Sequence, residues 1–189
     1  MRPIVQLFAY AYAVVLLVQA APGLAQPAER CEIDATRSVA RFGIAHVFVD
    51  RVTGSVRVQS GSIDIPAGSS VPLRVTAVLD ATKIDTGDGD RDNSLESADY
   101  FDTRQFPTWT FSSTKVVATG TTAFSTDGML TVRGVTQPEH LDVTIHAEAP
   151  ERRYHAVGHI DRRAFGMKGT RLDPVIGNEA EVTLDVVCK

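Results

Sequence analysis

The sequence predicts an all-β domain of about eight antiparallel strands, closed as a barrel or stacked as a sandwich. Three observations carry this. Apolar and polar residues alternate with a period of two in run after run, the pattern of strands with one face on a core and one in water. Turn-forming groups separate the runs: Ser60-Gly61, Pro66-Ala67-Gly68, Thr119-Gly120, Asp127-Gly128, Gln137-Pro138 and Ala149-Pro150. Each run also keeps a polar outward face, so no helical layer is needed to cover the sheet.

Residues 1–25 read as a signal peptide outside that fold. Met1 and Arg2 give a short positive start, and an apolar run from Ile4 to Ala21 is interrupted only by Gln6 and Gln19. Gly23 and Ala25 then supply the small residues that a signal peptidase accepts. Cleavage is expected after Ala25, with Ala21 as the alternative site, leaving residues 26–189 as a single domain. A retained anchor is the competing reading, because the run approaches spanning length. Pro22-Gly23 breaks that run, so no stable membrane span is expected after processing. The expected location is periplasmic or secreted.

Along the domain, Ala40, Phe42, Ile44, His46 and Phe48 share one strand face. Leu73, Val75, Ala77, Leu79 and Ala81 repeat the pattern, as do Trp109 and Phe111. Leu141, Val143, Ile145 and Ala147 follow, then Val182, Leu184, Val186 and Cys188. Only Ser94 to Phe101 lacks the alternation, and a short helix is expected there, near 94–101, in a long loop. Cys31 and Cys188 stand near the two ends of the domain. In an oxidising compartment a bond between them would join the first strand to the last. Two free thiols are the alternative, and the close Cys-x-x-Cys spacing of a redox pair is absent.

A formal charge of −4 argues against nucleic acid as a partner, since phosphate binding needs a basic face. An apolar content of 43% excludes wholesale disorder. Two cysteines are too few for a cysteine-based zinc site.

Several stretches give the chain a specific resemblance. Ser38-Val39-Ala40-Arg41-Phe42-Gly43-Ile44-Ala45-His46, followed by Val52-Thr53-Gly54, resembles the opening signature of the YceI-like family. Ile84-Asp85-Thr86-Gly87, the run from Arg91 to Asp102, and Phe106-Pro107-Thr108-Trp109-Thr110-Phe111-Ser112-Ser113 resemble its central motif. Leu130 to Thr136 and Asp161 to Met167 resemble its late motifs. The chain departs from the pattern at Ser94, where the family often has histidine. The resemblance implies an eight-stranded lipocalin-like barrel whose interior holds the chain of an isoprenoid quinone or a similar amphiphilic lipid. On this reading the interior is lined by Phe42, Ile44, His46, Leu79, Trp109, Phe111, Leu130, Ile145, Phe165 and Met167.

The residues support that reading without compelling it. Ala40, Ala77, Ala81, Ala147, Ala156 and Gly158 stand among Phe42, Trp109, Phe111 and Phe165, a mixture that either leaves a channel or packs solid. His46 either meets a head group or is satisfied by backbone. Gly54, Gly134 and Gly166 are expected at bends or close backbone approaches, and Arg91 and Asp92 are expected to hold the long loop. No cofactor and no metal site are expected. His155 and His159 would stand about 13 Å apart on a strand, too far to share an ion. Asp88 to Asp99 partly match a calcium-loop template but lack Gly at its sixth position and a flanking helix before it. No Gly-x-Ser-x-Gly elbow supports Ser112 or Ser113 as a nucleophile, so an enzyme is not expected. A hydrolase and a ligand-free structural or stress-related barrel are the alternatives.

The leader and the cysteines together predict one mass. Protein recovered from the periplasm should show residues 26–189 less two hydrogens by intact-mass spectrometry. Full-length protein, or two thiols alkylated without reduction, would contradict it.

Overall fold

The third strand closes the architecture by pairing with both the strand before it and the strand after it. The computed structural model describes residues 29–148, 151–167 and 173–189. The expected signal peptide 1–25 and the Ala149-Pro150 turn lie outside them, and the side chain of Ala147 is not described. In chain order the strands are β1 (Glu29–Glu32), β2 (Val39–His46), β3 (Asp50–Ile65) and β4 (Arg74–Asp85). The helix α1 (Gly89–Glu96) precedes β5 (Thr108–Gly120), β6 (Ala123–Val132), β7 (Val135–Glu148), β8 (Glu151–Asp161) and β9 (Ile176–Val187).

Neighbours run β3-β2-β9-β8-β7-β6-β5-β4, and β4 returns to pair with β3, so eight antiparallel strands close a barrel. The sandwich alternative is thereby removed. β3 spans 16 residues, long enough to meet β2 over Asp50–Arg57 and β4 over Ser55–Asp64. Register shifts at Val56/Arg57 and Val58/Ser60 let it bend between these partners, as bulges do in closed sheets. β1 is a short ninth strand on the far half of β3, from Glu29 opposite Ile65 to Glu32 opposite Ser62.

The barrel has two unlike ends. One end gathers both described termini. There Cys31 is bonded to Cys188 with their Cα atoms 5.6 Å apart. Ile33 bridges Cys188, and Val187 N–H donates to the buried Ser38 hydroxyl at 2.9 Å. The other end carries the β2–β3 hairpin, α1, the tight β6–β7 turn and the β8–β9 connection. Arg133 and Gly134 take left-handed φ values of 52° and 72°, the conformation that a two-residue hairpin turn requires. The Arg133 guanidinium then ties this end together, donating to Gly166 O at 3.0 Å and Ala98 O at 2.5 Å.

Three local expectations are corrected. The helix occupies Gly89–Glu96 rather than 94–101. Its start is set by Asp88, whose carboxylate accepts from Asp90 N–H and Arg91 N–H, both at 3.1 Å. It stops at Ser97 in an extended conformation, and Tyr100 and Phe101 turn back over the barrel end. Phe48 does not continue the face of β2, because the strand ends at His46 and Asp50, at φ 64°, reverses the chain. Leu73 precedes β4 and is 65% exposed.

The disulfide closes a loop with a sequence separation of 157. In the chain-entropy account such a link stabilises by up to about 5 kcal/mol, acting on the unfolded chain. A Cys31→Ala/Cys188→Ala double variant should lose about 2–5 kcal/mol in urea unfolding and show a steeper denaturant slope. An unchanged midpoint would show that the bond adds nothing to the closed sheet.

Candidate functional site: the barrel interior

The inward rows of the strands enclose a cavity of about 600 Å³, within the range of small-molecule sites. Its hollowness has a local cause. The Phe42 ring lies across Gly54 of the next strand, where an added β-carbon would come within 2.5 Å of it. The Phe111 ring lies likewise on Gly128 at 2.3 Å, and the Leu141 side chain on Gly158 at 2.5 Å. Bulky groups are thus laid flat against the wall. Ala40, Ala77 and Ala156 also line the cavity and contribute only methyl groups.

The cavity is closed at the disulfide end. Ile33, Ile63, Phe124, Tyr154 and Val186 line it there, all buried. The rings of Phe124 and Tyr154 meet edge to face at 6.3 Å. At the opposite end exposed groups join the lining: Val49, Asp88, Asp90 and Ser94, with half-buried His46 and Arg91 beside them. That end is the mouth. Leu95, Tyr100 and Phe101 roof part of it, and Phe101 packs on Trp109 with ring centroids 4.6 Å apart.

Of the ten liners expected from sequence, the structure brings nine together: Phe42, Ile44, His46, Leu79, Trp109, Phe111, Leu130, Phe165 and Met167 all face the cavity. Ile145 does not. It is buried at 4% exposure, but its cross-strand neighbour is Tyr154, and it packs in the closed end rather than on the lumen. His46 stands at the mouth, where its Nδ1 accepts the Phe48 N–H at 3.3 Å. Ser94, at the family's histidine position, donates to Asp90 O at 2.8 Å within α1. Gly54 serves a close approach, and Gly166 ends the turn Arg162–Phe165 at φ 81°.

Several lining residues escaped the sequence reading. Leu95, Tyr100 and Phe101 were visible only as apolar residues in an acidic loop. Arg162 lines the cavity at 6% exposure and donates to Gly177 O at 2.8 Å and Met167 O at 2.7 Å, joining β9 to the connection after β8. Glu139 is in phase with Leu141 and Val143 on β7 and faces the cavity with them. Burial, reinforced by the nearby Asp161 carboxylate, holds the Glu139 carboxyl above its ordinary range. Tyr154 is likewise pushed up by burial.

Two carboxylates of the acidic run are taken up by local structure. Asp88 caps α1 and also pairs with Arg91 at 3.0 Å, while Asp92 accepts from the N–H and hydroxyl of Thr86 at 2.9 and 2.6 Å. These contacts fasten the long loop through Arg91 and Asp92. His155 and His159 each face a carboxylate on β9, Asp185 at 2.7 Å and Glu179 at 3.4 Å. The Ser113 hydroxyl accepts the Val75 N–H at 2.8 Å between β5 and β4.

A family model for the YceI-like domain matches residues 32–188. A UPF0312 protein of Vibrio campbellii is 29% identical over 151 residues, covering 77% of each chain. The YCEI protein of Campylobacter jejuni superposes with a TM-score of 0.69 at 22% identity, over 76% of this chain and 88% of that one. A polyisoprenoid binding domain from Saccharophagus degradans, implicated in plant cell wall breakdown, gives a TM-score of 0.64 at 18% identity. The match covers 84% of this chain and 97% of that domain.

The Glu139 environment has a consequence for stability. Its carboxyl is raised in the folded state, so the fold binds a proton that the unfolded chain releases. Stability therefore falls as pH rises from the ordinary glutamate range through the raised value. Glu139→Gln should be more stable than wild type at pH 7 by about 1 kcal/mol or less, because the carboxylate remains partly solvated. The difference should shrink toward zero near pH 4, as read by urea unfolding at both pH values. A loss of stability at pH 7 would show instead that the charge is paired.

Proposed function

The chain belongs to the YceI-like family, and on that premise we propose that it is an exported, non-enzymatic binding protein holding the tail of an isoprenoid lipid, such as an isoprenoid quinone, inside the barrel. The observation that carries this reading is the shape of the interior: a mostly apolar cavity, closed at the disulfide end and open beside α1. A barrel with a merely structural role would gain stability by filling that space, since a void forfeits dispersion contacts around its whole lining. Here the large rings lie on Gly54 and Gly128 and leave it open.

The energetics suit a carrier. A buried methylene gains about 0.8 kcal/mol relative to water. The proper reference for such a lipid is the bilayer, where its tail is already out of water. Exchange between bilayer and barrel is then close to neutral, so the lipid can be taken up and also released. The neighbour from Saccharophagus degradans is described as polyisoprenoid binding, which supports the ligand class.

Protein purified without detergent should carry prenyl lipid, detected by mass spectrometry of an organic extract. Ala77→Phe/Ala156→Phe fills the lumen and should cut retention of an added prenyl quinone at least roughly tenfold, while thermal unfolding shows the fold intact. Phe111→Ala should cost less than the roughly 3–5 kcal/mol of a fully packed phenylalanine. The reading fails if wild type carries no lipid, binds none when offered it, and loses that full amount in Phe111→Ala.

A further inference from the structure

Resting on that reading, we infer that the β2–β3 hairpin is a membrane-docking tip that seats the mouth of the barrel on the neutral, apolar part of a lipid bilayer. Val47, Phe48 and Val49 are 72%, 76% and 58% exposed. They are consecutive, and they make up half of the six large apolar side chains exposed among the described residues. The other three, Leu73, Val117 and Met129, are not consecutive with one another or with the tip.

Three observations point to a bilayer as the occupant. First, the tip is continuous with the cavity: His46 and Val49 line the mouth. A tail leaving the lumen on this side passes along the same apolar surface. Second, the amides of the tip are already bonded within the protein. Val47 N–H donates to Val175 O at 2.9 Å, Phe48 N–H to His46 Nδ1 at 3.3 Å and Val49 N–H to His46 O at 3.3 Å. No unpaired amide of these three residues has to enter the lipid, which lowers the cost of inserting a loop. Third, charge decides which lipid surface is met. The mouth also carries the exposed Asp90 and the Asp88–Arg91 ion pair, and the chain has a formal charge of −4. A net negative chain gains no general attraction from an anionic surface, so docking depends on apolar insertion and is weak and reversible, as a single short apolar element dictates.

The test uses the processed protein and two readouts. Flotation with phosphatidylcholine vesicles measures docking, and movement of a prenyl quinone from donor to acceptor vesicles measures carriage. Wild type should float with phosphatidylcholine vesicles, no better when phosphatidylglycerol is added, and should keep floating in high salt. Val47→Ser/Phe48→Ser should lower both flotation and transfer rate roughly tenfold. The amount of quinone retained after direct loading from detergent should stay unchanged. Leu73→Ser, an exposed apolar residue at the closed end, should behave as wild type. Flotation that depends on Phe48 in a protein carrying no quinone supports docking while removing the lipid-binding reading. Quinone retention and transfer unaffected by the tip variant overturn docking and leave that reading standing. Flotation driven by phosphatidylglycerol and lost in salt, or a dimer in solution abolished by Phe48→Ser without vesicle binding, also overturns it.

Discussion

Everything in this molecule depends on one strand being paired twice. β3 meets β2 along its first half and β4 along its second, and the shifts near Val56 and Val58 bend it between them. Without that double pairing the sheet would have two open edges and no interior. With it, the inward rows of eight strands are turned toward a shared lumen, and among the described residues closure leaves little edge free for edge-to-edge association. The short β1 and the Cys31–Cys188 bond then fix the termini beside the same strand.

Closure alone does not make a cavity. Eight strands give a radius that side chains can fill or leave hollow, and glycines opposite large groups decide which. On a wall bearing a β-carbon at positions 54, 128 and 158, Phe42, Phe111 and Leu141 would be driven into the lumen. The missing β-carbons let them lie along it. The same glycines weaken their strands locally, a cost offset by packing of the ring on the exposed backbone. The hollow therefore arises from pairs of residues on adjacent strands rather than from any single position.

This explains which parts were legible in the sequence. The strands and their inward faces follow from a period of two, so Phe42, Ile44, Leu79, Trp109 and Phe111 could be assigned to inward faces from the pattern alone, while Leu130 came through the resemblance. Phe165 and Met167 were reached through the resemblance, and both line the cavity. The pairing of Gly54 with Phe42 was not legible, because register between strands is not written in either strand alone. Ile145 was misplaced for a related reason. Alternation tells which side a residue faces but not which of two neighbours reaches the lumen: Ile145 is buried beside Tyr154, and Tyr154 is the one that lines the cavity. The helix expected over 94–101 rested on the loss of alternation alone, whereas its start at Gly89 is set by the capping carboxylate of Asp88. Phe48 kept the alternation of β2 but fell beyond the turn that Asp50 imposes. Glu139 was legible in principle: the phase that places Leu141 and Val143 inward places it there too.

The two ends of the barrel divide the labour in a way that bears on function. The disulfide end holds a covalent bond, buried rings and the short strand, and it resists opening. The mouth is built from turns and connections. Their order rests on polar clamps: Arg133 across three of them, Arg162 between β9 and the preceding connection, and Asp92 on the loop before α1. Hydrogen bonds of this kind each contribute about 1 kcal/mol net and can be released singly. On the proposed reading, a lipid whose transfer from bilayer to barrel is near neutral does not need a deep affinity well. It needs a passage that opens without disturbing the closed sheet. Segregating covalent and apolar closure to one end and polar clamps to the other meets that requirement, because loosening the mouth leaves the double pairing of β3 intact.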